Sequence, residues 1–289
     1  MSSTLRMFDT YVLPILEYNS EIWNSEKPAS ELEAVQLGYL KRMLGVRKQT
    51  PSLAVYGETG RFPLHVRQKV RMINYWMRLE DAPDGSLLRR CLQIQKDANE
   101  TNWFSKVKSI LSTCNIEYET SNNTNLTIDS ICRKVKSKLY ELEQEQLFIS
   151  INDSTQQPKL RTYKLFKTDC RLEPYLRLRQ NRKMLTKIAR FRTSSHSLRI
   201  ETGRHHKPVT PAENRICEKC PLNMVEDEIH CLIVCPANES FRENLFSTAA
   251  RFINNFRSLN DTDKFTSIMK SKEPDLLNIL GKFLLQADV

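Results

Sequence analysis

Residues 217–235 read Cys-Glu-Lys-Cys-Pro-Leu-Asn-Met-Val-Glu-Asp-Glu-Ile-His-Cys-Leu-Ile-Val-Cys. Within this stretch, Cys217, Cys220, His230 and Cys235 have the spacing Cys-x2-Cys-x9-His-x4-Cys. Three thiolates and one imidazole complete a tetrahedral Zn²⁺ shell and leave no coordination position open for a substrate. We therefore predict one structural zinc ion, not a catalytic one, in a small knuckle whose folding depends on the metal.

The last two predicted ligands constrain the local structure. His230 and Cys235 lie five residues apart, about 140° around an α-helix, so one regular helix cannot aim both at a metal. We expect a short helix from residue 226 to about residue 234, with Cys235 at its frayed end and Pro236 opening the next helix. Cys231 should point away from the metal and pack in the interior.

Length and composition favour a folded, mostly helical protein. The chain has 289 residues, of which 40% are hydrophobic, with seven glycines and twelve prolines. It is long enough for two domains and unlike a collagenous or disordered chain. We expect a mainly α fold with regions at 1–88, 89–158 and 159–289, the last being a basic helical domain that contains the zinc knuckle.

The amino-terminal sequence has no apolar core followed by a cleavage site, so we expect an intracellular protein, nuclear or cytoplasmic, that is not secreted. Cys91, Cys114, Cys132 and Cys170 lie far apart in the sequence. We expect them to be free thiols in a reducing compartment. No apolar run reaches the length of a transmembrane helix, so we expect no membrane partner.

The positive charge is concentrated in one segment. The whole chain has a net charge of +10, whereas residues 160–207 contain fourteen basic and three acidic residues, a net +11. Such an excess favours a polyanionic partner, most simply nucleic acid. A generally basic, solvated surface is the alternative. His205 and His206 are rival metal ligands by type, but their distance in sequence and basic surroundings favour phosphate contact or plain surface.

Residues 177–192 predict an amphipathic helix that could offer a cationic ridge to phosphates while it packs on its own domain. The predicted nucleic-acid-binding residues are Arg179, Arg182, Lys183, Lys187 and Arg190, and the apolar side is formed by Leu178, Leu185, Ile188 and Ala189. Four aromatic residues are interleaved with the charges and could either stack on bases or belong to the core. These are Tyr163, Phe166, Tyr175 and Phe191.

Other stretches also predict helices. Residues 5–23 predict a helix kinked or broken at Pro14, and residues 31–44 predict a helix that stops at Gly45. A short helical turn should open at Ser52 and break within residues 56–60. Further helices are predicted from residue 63, with Val66, Val70, Ile73 and Met77 on one face, and over residues 130–148. The polar stretch 115–129 predicts a loop.

Three blocks of sequence, in this order, resemble the C-terminal part of reverse transcriptases from non-LTR retrotransposons (long interspersed elements). The first block is Tyr-Val-Leu-Pro-Ile-Leu-Glu-Tyr-Asn-Ser-Glu-Ile-Trp at residues 11–23. The second block comprises residues 37–46, 50–52, 56–64 and 73–79. The third block is the zinc motif with residues 225–230, Cys235-Pro236 and Arg242. The resemblance covers about residues 5–80 and 160–285. Cys231 stands where the family usually has an aromatic residue.

The resemblance implies a thumb-like helical bundle that grips a template-primer duplex, followed by a zinc region that binds RNA, DNA or an RNA–DNA hybrid. In that case Lys41, Arg42, Arg67 and Arg71 are weaker candidates for phosphate contact. Polymerase chemistry needs carboxylates that hold two metal ions, and the family's Asp-Asp pair occurs nowhere in this chain. We therefore expect a nucleic-acid-binding fragment that begins after the polymerase palm and is not an enzyme. The alternative is a zinc-stabilised helical scaffold, from a domesticated host gene, that binds protein.

Overall fold

A computed structural model describes residues 2–23, 30–98, 101–116, 128–178 and 181–289. The fold is mainly helical, as the sequence predicts. Across the described ranges no strand forms, and β-type pairing is limited to two isolated bridges, Thr59 with Leu172 and Ile216 with Val225.

The helices follow one another through the described ranges. The α-helices are α1 (Ser2–Met7), α2 (Leu13–Leu16), α3 (Ser20–Trp23), α4 (Ser30–Leu44), α5 (Ser52–Thr59), α6 (Leu64–Glu80), α7 (Leu87–Asp97), α8 (Trp103–Thr113), α9 (Ile128–Asn152), α10 (Tyr163–Phe166), α11 (Arg182–Arg192), α12 (Arg199–Thr202), α13 (Glu239–Phe252), α14 (Asp261–Lys270) and α15 (Pro274–Gln286). Phe8–Val12 and His230–Val234 are π-helical, and short 3₁₀ turns occupy Pro158–Leu160, Pro174–Arg177, Gly203–His205, Ala212–Asn214, Pro236–Asn238 and Phe256–Ser258.

Two compact units divide the chain. Unit 1 comprises Met1–Thr4, Leu37–Arg61 and Leu147–Val289, and unit 2 comprises Leu5–Gln36 and Phe62–Gln146. Each unit is therefore assembled from separate stretches of sequence. The regions predicted from the sequence at 1–88, 89–158 and 159–289 stay predictions, since these units group the residues by spatial proximity and not by motif.

Unit 2 has a core built from α6, α8 and the amino-terminal half of α9. Trp76 of α6 is fully buried, and its indole nitrogen donates to the Glu80 carboxylate at 2.9 Å. Val107 and Val135 contribute from α8 and α9. The apolar face predicted for α6 is confirmed, because Val66, Ile73 and Met77 are buried and Val70 is half-buried in the same cluster.

Unit 1 is organised around α15, which packs against both α11 and α13. Gly281 makes the close approach to α11 possible, because a Cβ there would lie 3.0–3.4 Å from atoms of Met184 and Ile188. Leu185, Ile188 and Ala189 of α11 are buried, which confirms that they form the apolar side predicted for this helix. The helix itself starts at Arg182, later than predicted, because Pro174–Arg177 form a separate 3₁₀ turn.

The amino-terminal segment is broken, as the sequence predicts, but the break lies beyond the proline. Pro14 sits in the first turn of α2, where its missing N–H does no harm. The helical path ends at Glu17, and Asn19 adopts a left-handed φ of 53° before α3 begins. The predicted loop at 115–129 falls largely on residues 117–127, which lie outside the described residues.

Two helices end at glycines where the sequence predicts a break. The break predicted within residues 56–60 is confirmed: α5 continues through Gly57 and ends at Gly60, which has a φ of 62°. Gly57 is buried inside the helix beside the Tyr163 ring, so the glycine serves close packing and not a helix break. The predicted end of α4 at Gly45, with a φ of 71°, is confirmed.

Candidate metal centre and basic surfaces

A tight turn presents the first two predicted ligands. The backbone N–H of Cys217 donates to the Met224 carbonyl at 2.8 Å, and that of Glu226 donates to the Arg215 carbonyl at 2.9 Å. Asn223 takes a left-handed φ of 56°, which lets the chain reverse between these two short segments. The turn therefore brings Cys217 and Cys220 to one side of the centre.

A π-helical turn presents the other two ligands. The N–H of Cys235 donates to the carbonyl of His230 at 2.7 Å, an i→i+5 hydrogen bond. Residues five apart would diverge by about 140° on an α-helix, and the wider i→i+5 turn removes most of that divergence. The short helix expected around residues 226–234 is present, and its π geometry brings His230 and Cys235 to the same side.

The four predicted ligands lie together. Their ligand atoms are all within 4.8 Å of one another and could hold one metal ion. The Sγ atoms of Cys217 and Cys235 are 3.9 Å apart, and Cys220 Sγ is 3.4 Å from His230 Nε2. A disulfide bond requires about 2.05 Å between sulfurs, so these thiols are not cross-linked.

Burial disfavours the charged forms of these ligands when no cation is bound. It raises the pKa of the Cys217 thiol to about 12 and also raises that of Cys235. Burial lowers the pKa of His230, so its imidazole is neutral and available as a ligand. Since metal binding needs thiolates, a divalent cation would have to displace the thiol protons on binding.

Neighbouring side chains hold the two turns in place. Asp227 accepts a hydrogen bond from the His230 amide at 2.8 Å, which caps the start of the π-helix. Arg242 of α13 is buried and donates to the carbonyls of Leu232, at 3.1 Å, and of Cys235. These bonds satisfy carbonyls that the end of a helix leaves without partners. Arg242 therefore ties α13 to the ligand-bearing turn.

Cys231 packs in the interior, as expected from its position beside His230. It is buried, and burial raises the pKa of its thiol to about 12. The side-chain amide of Asn238 donates to its carbonyl at 3.0 Å. His205 and His206 are both exposed, and His206 contacts the Thr210 hydroxyl at 3.0 Å.

The predicted phosphate-binding residues have unequal surroundings. Arg182 and Lys183 are exposed, whereas Lys187 pairs with Asp288 at 3.1 Å and Arg190 donates to the Gly45 carbonyl at 2.7 Å. Arg179 lies outside the described residues. Of these cations, Lys187 is paired with a carboxylate, and Arg190 and Arg182 each donate to a backbone carbonyl within unit 1.

Much of the charge in residues 160–207 is neutralised inside unit 1. Arg192 is buried and bonds Glu58 at 2.8 Å and 3.0 Å, and it also contacts Glu173 at 2.8 Å. Although burial alone would raise the pKa of Glu58, the charges of Arg192 and Lys167 hold it below its usual value. Part of the positive charge counted in this segment is therefore neutralised in the interior and is not exposed at the surface.

A second buried network lies next to the metal centre. Arg161 pairs with both Glu201 and Glu228 at 2.7 Å, and His196 contacts Glu228 at 2.9 Å. Arg204 adds a contact to Glu201 at 3.2 Å. Sequence reasoning missed this set, because its members are scattered and residues 160–207 were considered only for their excess of positive charge.

The interleaved aromatic residues belong to the core and not to a base-stacking surface. Tyr163, Phe166, Tyr175 and Phe191 are all buried. Tyr175 donates to Glu58 at 2.7 Å, and the Phe166 ring lies 4.6 Å from the Arg192 guanidinium. The base-stacking alternative is therefore wrong for these four side chains.

Five exposed cations of unit 1 come from two adjoining segments. The loop after α4 packs on α11, with Gly45 against Thr186, and Arg182 donates to the Arg42 carbonyl at 3.1 Å. We call this surface the basic face; it consists of Arg42, Arg47, Lys48, Arg182 and Lys183. Within the described ranges, none of its side chains pairs with a carboxylate.

Unit 2 has a basic groove of its own, with a volume of about 940 Å³. Arg71, Arg78, Arg133 and Lys136 line it. One carboxylate, that of Glu21, is among the described lining residues, and it pairs with Arg71 at 3.0 Å. Arg67, a weaker candidate from the sequence, pairs with the buried Glu17 at 2.8 Å.

Comparison with known proteins identifies no relative. A scan against protein-family models, a search of curated proteins and a search of solved structures each found no match to this chain. Separately, none of the described helices combines the length and apolar character needed to cross a bilayer.

Proposed function

We propose that Cys217, Cys220, His230 and Cys235 hold one structural zinc ion. A tetrahedral zinc shell, with bonds of about 2.3 Å to sulfur and about 2.0 Å to nitrogen, places two sulfurs about 3.8 Å apart and sulfur and nitrogen about 3.5 Å apart. Two of the six separations, 3.9 Å and 3.4 Å, fit that shell, and all six lie within 4.8 Å. Three sulfurs also favour zinc over hard cations that prefer oxygen. All four positions would be filled by protein, so the ion would hold the fold and not activate a substrate.

We propose further that the chain binds nucleic acid through its basic face. The observation that carries this proposal is the convergence of Arg42 and Arg182, 140 residues apart in sequence, on one exposed surface. Exposed lysine and arginine side chains bind phosphates whatever the base sequence, and the released counterions drive the association. Among the described residues no carboxylate pairs with these cations, so they are available for contacts with phosphates.

The basic groove of unit 2 supports the same proposal independently. Its arginine and lysine side chains outnumber its one described carboxylate, and its volume is large enough to admit a phosphodiester backbone. Because the groove and the basic face belong to different units, variants of one leave the other unchanged.

The proposed relationship to non-LTR reverse transcriptases rests on the order of the three sequence blocks. The helical fold and the clustered ligands are compatible with it. The proposed role is non-catalytic, because the chain contains no Asp-Asp pair that could serve as the polymerase centre. In this proposal the chain keeps the elements that bind nucleic acid and lacks the carboxylates that polymerisation requires.

A protein-binding scaffold remains the second candidate, and α7 favours it. Leu87, Leu88 and Ile94 of this helix are 76%, 52% and 68% exposed. Apolar side chains clustered on one exposed helix are typical of partner-binding surfaces. Affinity for such a partner would depend little on salt, unlike affinity for nucleic acid.

Two measurements on the full chain test the proposal. Native mass spectrometry should find one zinc ion per chain. The affinity for a 20-nucleotide RNA–DNA hybrid, measured by fluorescence anisotropy, should fall steeply as salt rises. Zinc without salt-dependent binding would favour the scaffold, and absence of zinc would refute the metal assignment.

A further inference from the structure

A cleft of about 370 Å³ opens in unit 1 between the loop that follows α10 and the end of α14. Small-molecule sites usually occupy about 300–1,000 Å³, so the cleft is large enough for a compact ligand. Leu172, Pro174 and Met269 line it together with several charged side chains. None of its lining residues belongs to the metal centre, the basic face or the basic groove.

The floor of the cleft is charged but balanced. Arg192 is buried there and pairs with Glu58 and Glu173 at 2.8 Å each. Lys167, also buried, pairs with Glu173. Arg192 also donates to the Met269 carbonyl at 2.6 Å, so its guanidinium covers a carbonyl at the end of α14 that would otherwise repel an anion. Two cations therefore offset two carboxylates, and a ligand would meet no net charge at the floor.

The rim of the cleft, by contrast, has an excess of positive charge. Four exposed cations line it, and among the described lining residues the rim has one carboxylate, that of Asp169, which lies 3.8 Å from the Arg171 side chain. The four cations are Arg171, Arg177, Lys270 and Lys272. Within the described ranges, no carboxylate pairs with the last three. Four cations against one carboxylate leave a formal excess of three positive charges at the mouth of the cleft.

The wall of the cleft beside α5 is firmly anchored. Leu172 forms a β-bridge with Thr59, and the backbone N–H of Glu173 donates to the Glu58 carbonyl at 3.0 Å. Gly60 permits this close approach, because a Cβ there would overlap the backbone nitrogen of Leu172. The wall is therefore held in place by unit 1 itself, and a preorganised site of this kind loses little entropy when it binds a ligand.

We propose that this cleft binds a small organic polyphosphate of the size and charge of a nucleoside triphosphate. Lysine and arginine side chains form charge-assisted hydrogen bonds with phosphate oxygens, and the rim supplies four of them. A ligand with a single carboxylate would neutralise only one of the three excess charges, whereas a polyphosphate neutralises several. The apolar parts of the wall, at Leu172, Pro174 and Met269, suit the organic portion.

Isothermal titration of the full chain with ATP tests the proposal, in magnesium-free buffer without chelator at fixed ionic strength. ATP should bind at one site per chain, and adenosine at the same concentration should not bind. Lys272→Gln should weaken ATP binding about fivefold, because it removes one phosphate contact. The matched control is Lys282→Gln, which removes an exposed charge elsewhere in unit 1 and should leave the affinity unchanged.

Three results of that titration would overturn the proposal. These are no ATP binding at millimolar concentration, adenosine binding as tight as that of ATP, and equal losses of affinity in Lys272→Gln and Lys282→Gln. The failure of nucleic-acid binding by the basic face is a separate result, because that surface shares no residue with the cleft.

Chemical labelling gives a second readout that needs no variant. Saturating ATP should protect Lys270 and Lys272 from acetylation by an N-hydroxysuccinimide ester, as measured by mass spectrometry of the digested chain, and should leave Lys282 reactive. If the RNA–DNA hybrid protects these two lysines and ATP does not, the cleft is part of a nucleic-acid-binding surface, and the proposal of a small polyphosphate ligand is wrong.

Discussion

The backbone amide of Cys235 donates to the carbonyl of His230 at 2.7 Å, and this single i→i+5 bond determines whether two ligands can share a metal. An α-helical turn would aim the two side chains apart. The π-helical turn also leaves carbonyls that need outside donors, and Arg242 supplies them. The geometry of the metal centre therefore depends on a residue that is not a ligand.

Loss of one ligand should empty the site. Cys217→Ser removes a thiolate, and we expect the zinc content to fall from about one ion per chain to near zero, with local unfolding around the turn. Cys231→Ala is the matched control, since Cys231 is buried nearby but packs away from the ligand atoms. Metal analysis with limited proteolysis measures both effects. An unchanged cleavage pattern in Cys217→Ser would argue against a structural metal.

Removal of Arg242 should loosen the same turn without touching a ligand. Arg242→Ala leaves buried carbonyls without donors, which costs roughly 1–3 kcal/mol. We expect a lower urea midpoint and faster zinc release to a chelator. Arg251→Ala lies on the same helix at an exposed position and should change neither quantity. Equal effects of the two variants would contradict the role given to Arg242.

The Glu58–Arg192 pair should be among the most sensitive positions of unit 1. Arg192→Met leaves the Glu58 carboxylate buried without its main counter-charge, and breaking such a pair typically costs about 3–5 kcal/mol. Arg171→Met is the control, because that side chain is 83% exposed. Chemical denaturation followed by circular dichroism compares the two. A loss below about 1 kcal/mol for Arg192→Met would mean that the pair is not buried as described.

Two helical glycines should respond to alanine in opposite ways. Gly57→Ala places a methyl group against the Tyr163 hydroxyl, closer than any ordinary contact, and should destabilise the protein. Gly38→Ala meets nothing within 4 Å and should stabilise α4 by about 0.5–1 kcal/mol. Thermal melts of the two variants measure the contrast. Similar shifts in both would refute the close packing at Gly57.

Phosphate contact by the basic face predicts a change in salt dependence. Lys183→Ala should weaken binding to all nucleic-acid sequences alike and flatten the logarithmic salt slope by about one unit. Lys282→Ala, exposed on α15, removes the same charge elsewhere in unit 1 and should leave the slope unchanged. Anisotropy titrations at several salt concentrations provide the measurement. A loss confined to one sequence would contradict a backbone-contact role.

Several helices of this chain were predictable because their signals are local, whereas α7, α8, α14 and α15 were not predicted. Periodic apolar residues predicted α6, and a glycine predicted the end of α4 at Gly45. The residue types and spacing of the four ligands predicted that they cluster. The π-helical turn was not predictable, because no residue type marks an i→i+5 bond. The range 56–60 did not show which of its two glycines ends α5, since a glycine that ends a helix and one that admits a neighbouring ring look the same in sequence.

Charge was harder to interpret than periodicity. Arg192 and Lys187 contribute to a conspicuous basic segment, yet their partners lie far away, Glu58 being 134 residues and Asp288 101 residues distant in sequence. Net charge over a window counts cations whether or not the fold neutralises them. Only tertiary structure separates the exposed Arg182 and Lys183 from these paired neighbours.

The discontinuity of unit 1 has a consequence for synthesis on the ribosome. Its early stretch, Leu37–Arg61, emerges long before the later one, Leu147–Val289, that completes its core. Until then Glu58 lacks the counter-charge of Arg192, and Gly57 lacks the Tyr163 ring that packs beside it. Long-range contacts of this kind slow folding, because the chain loses the entropy of loop closure before the contacts stabilise it. The nascent chain must therefore wait for the partners of α5 while about 130 further residues are translated, an interval of roughly 7–26 s at usual elongation rates.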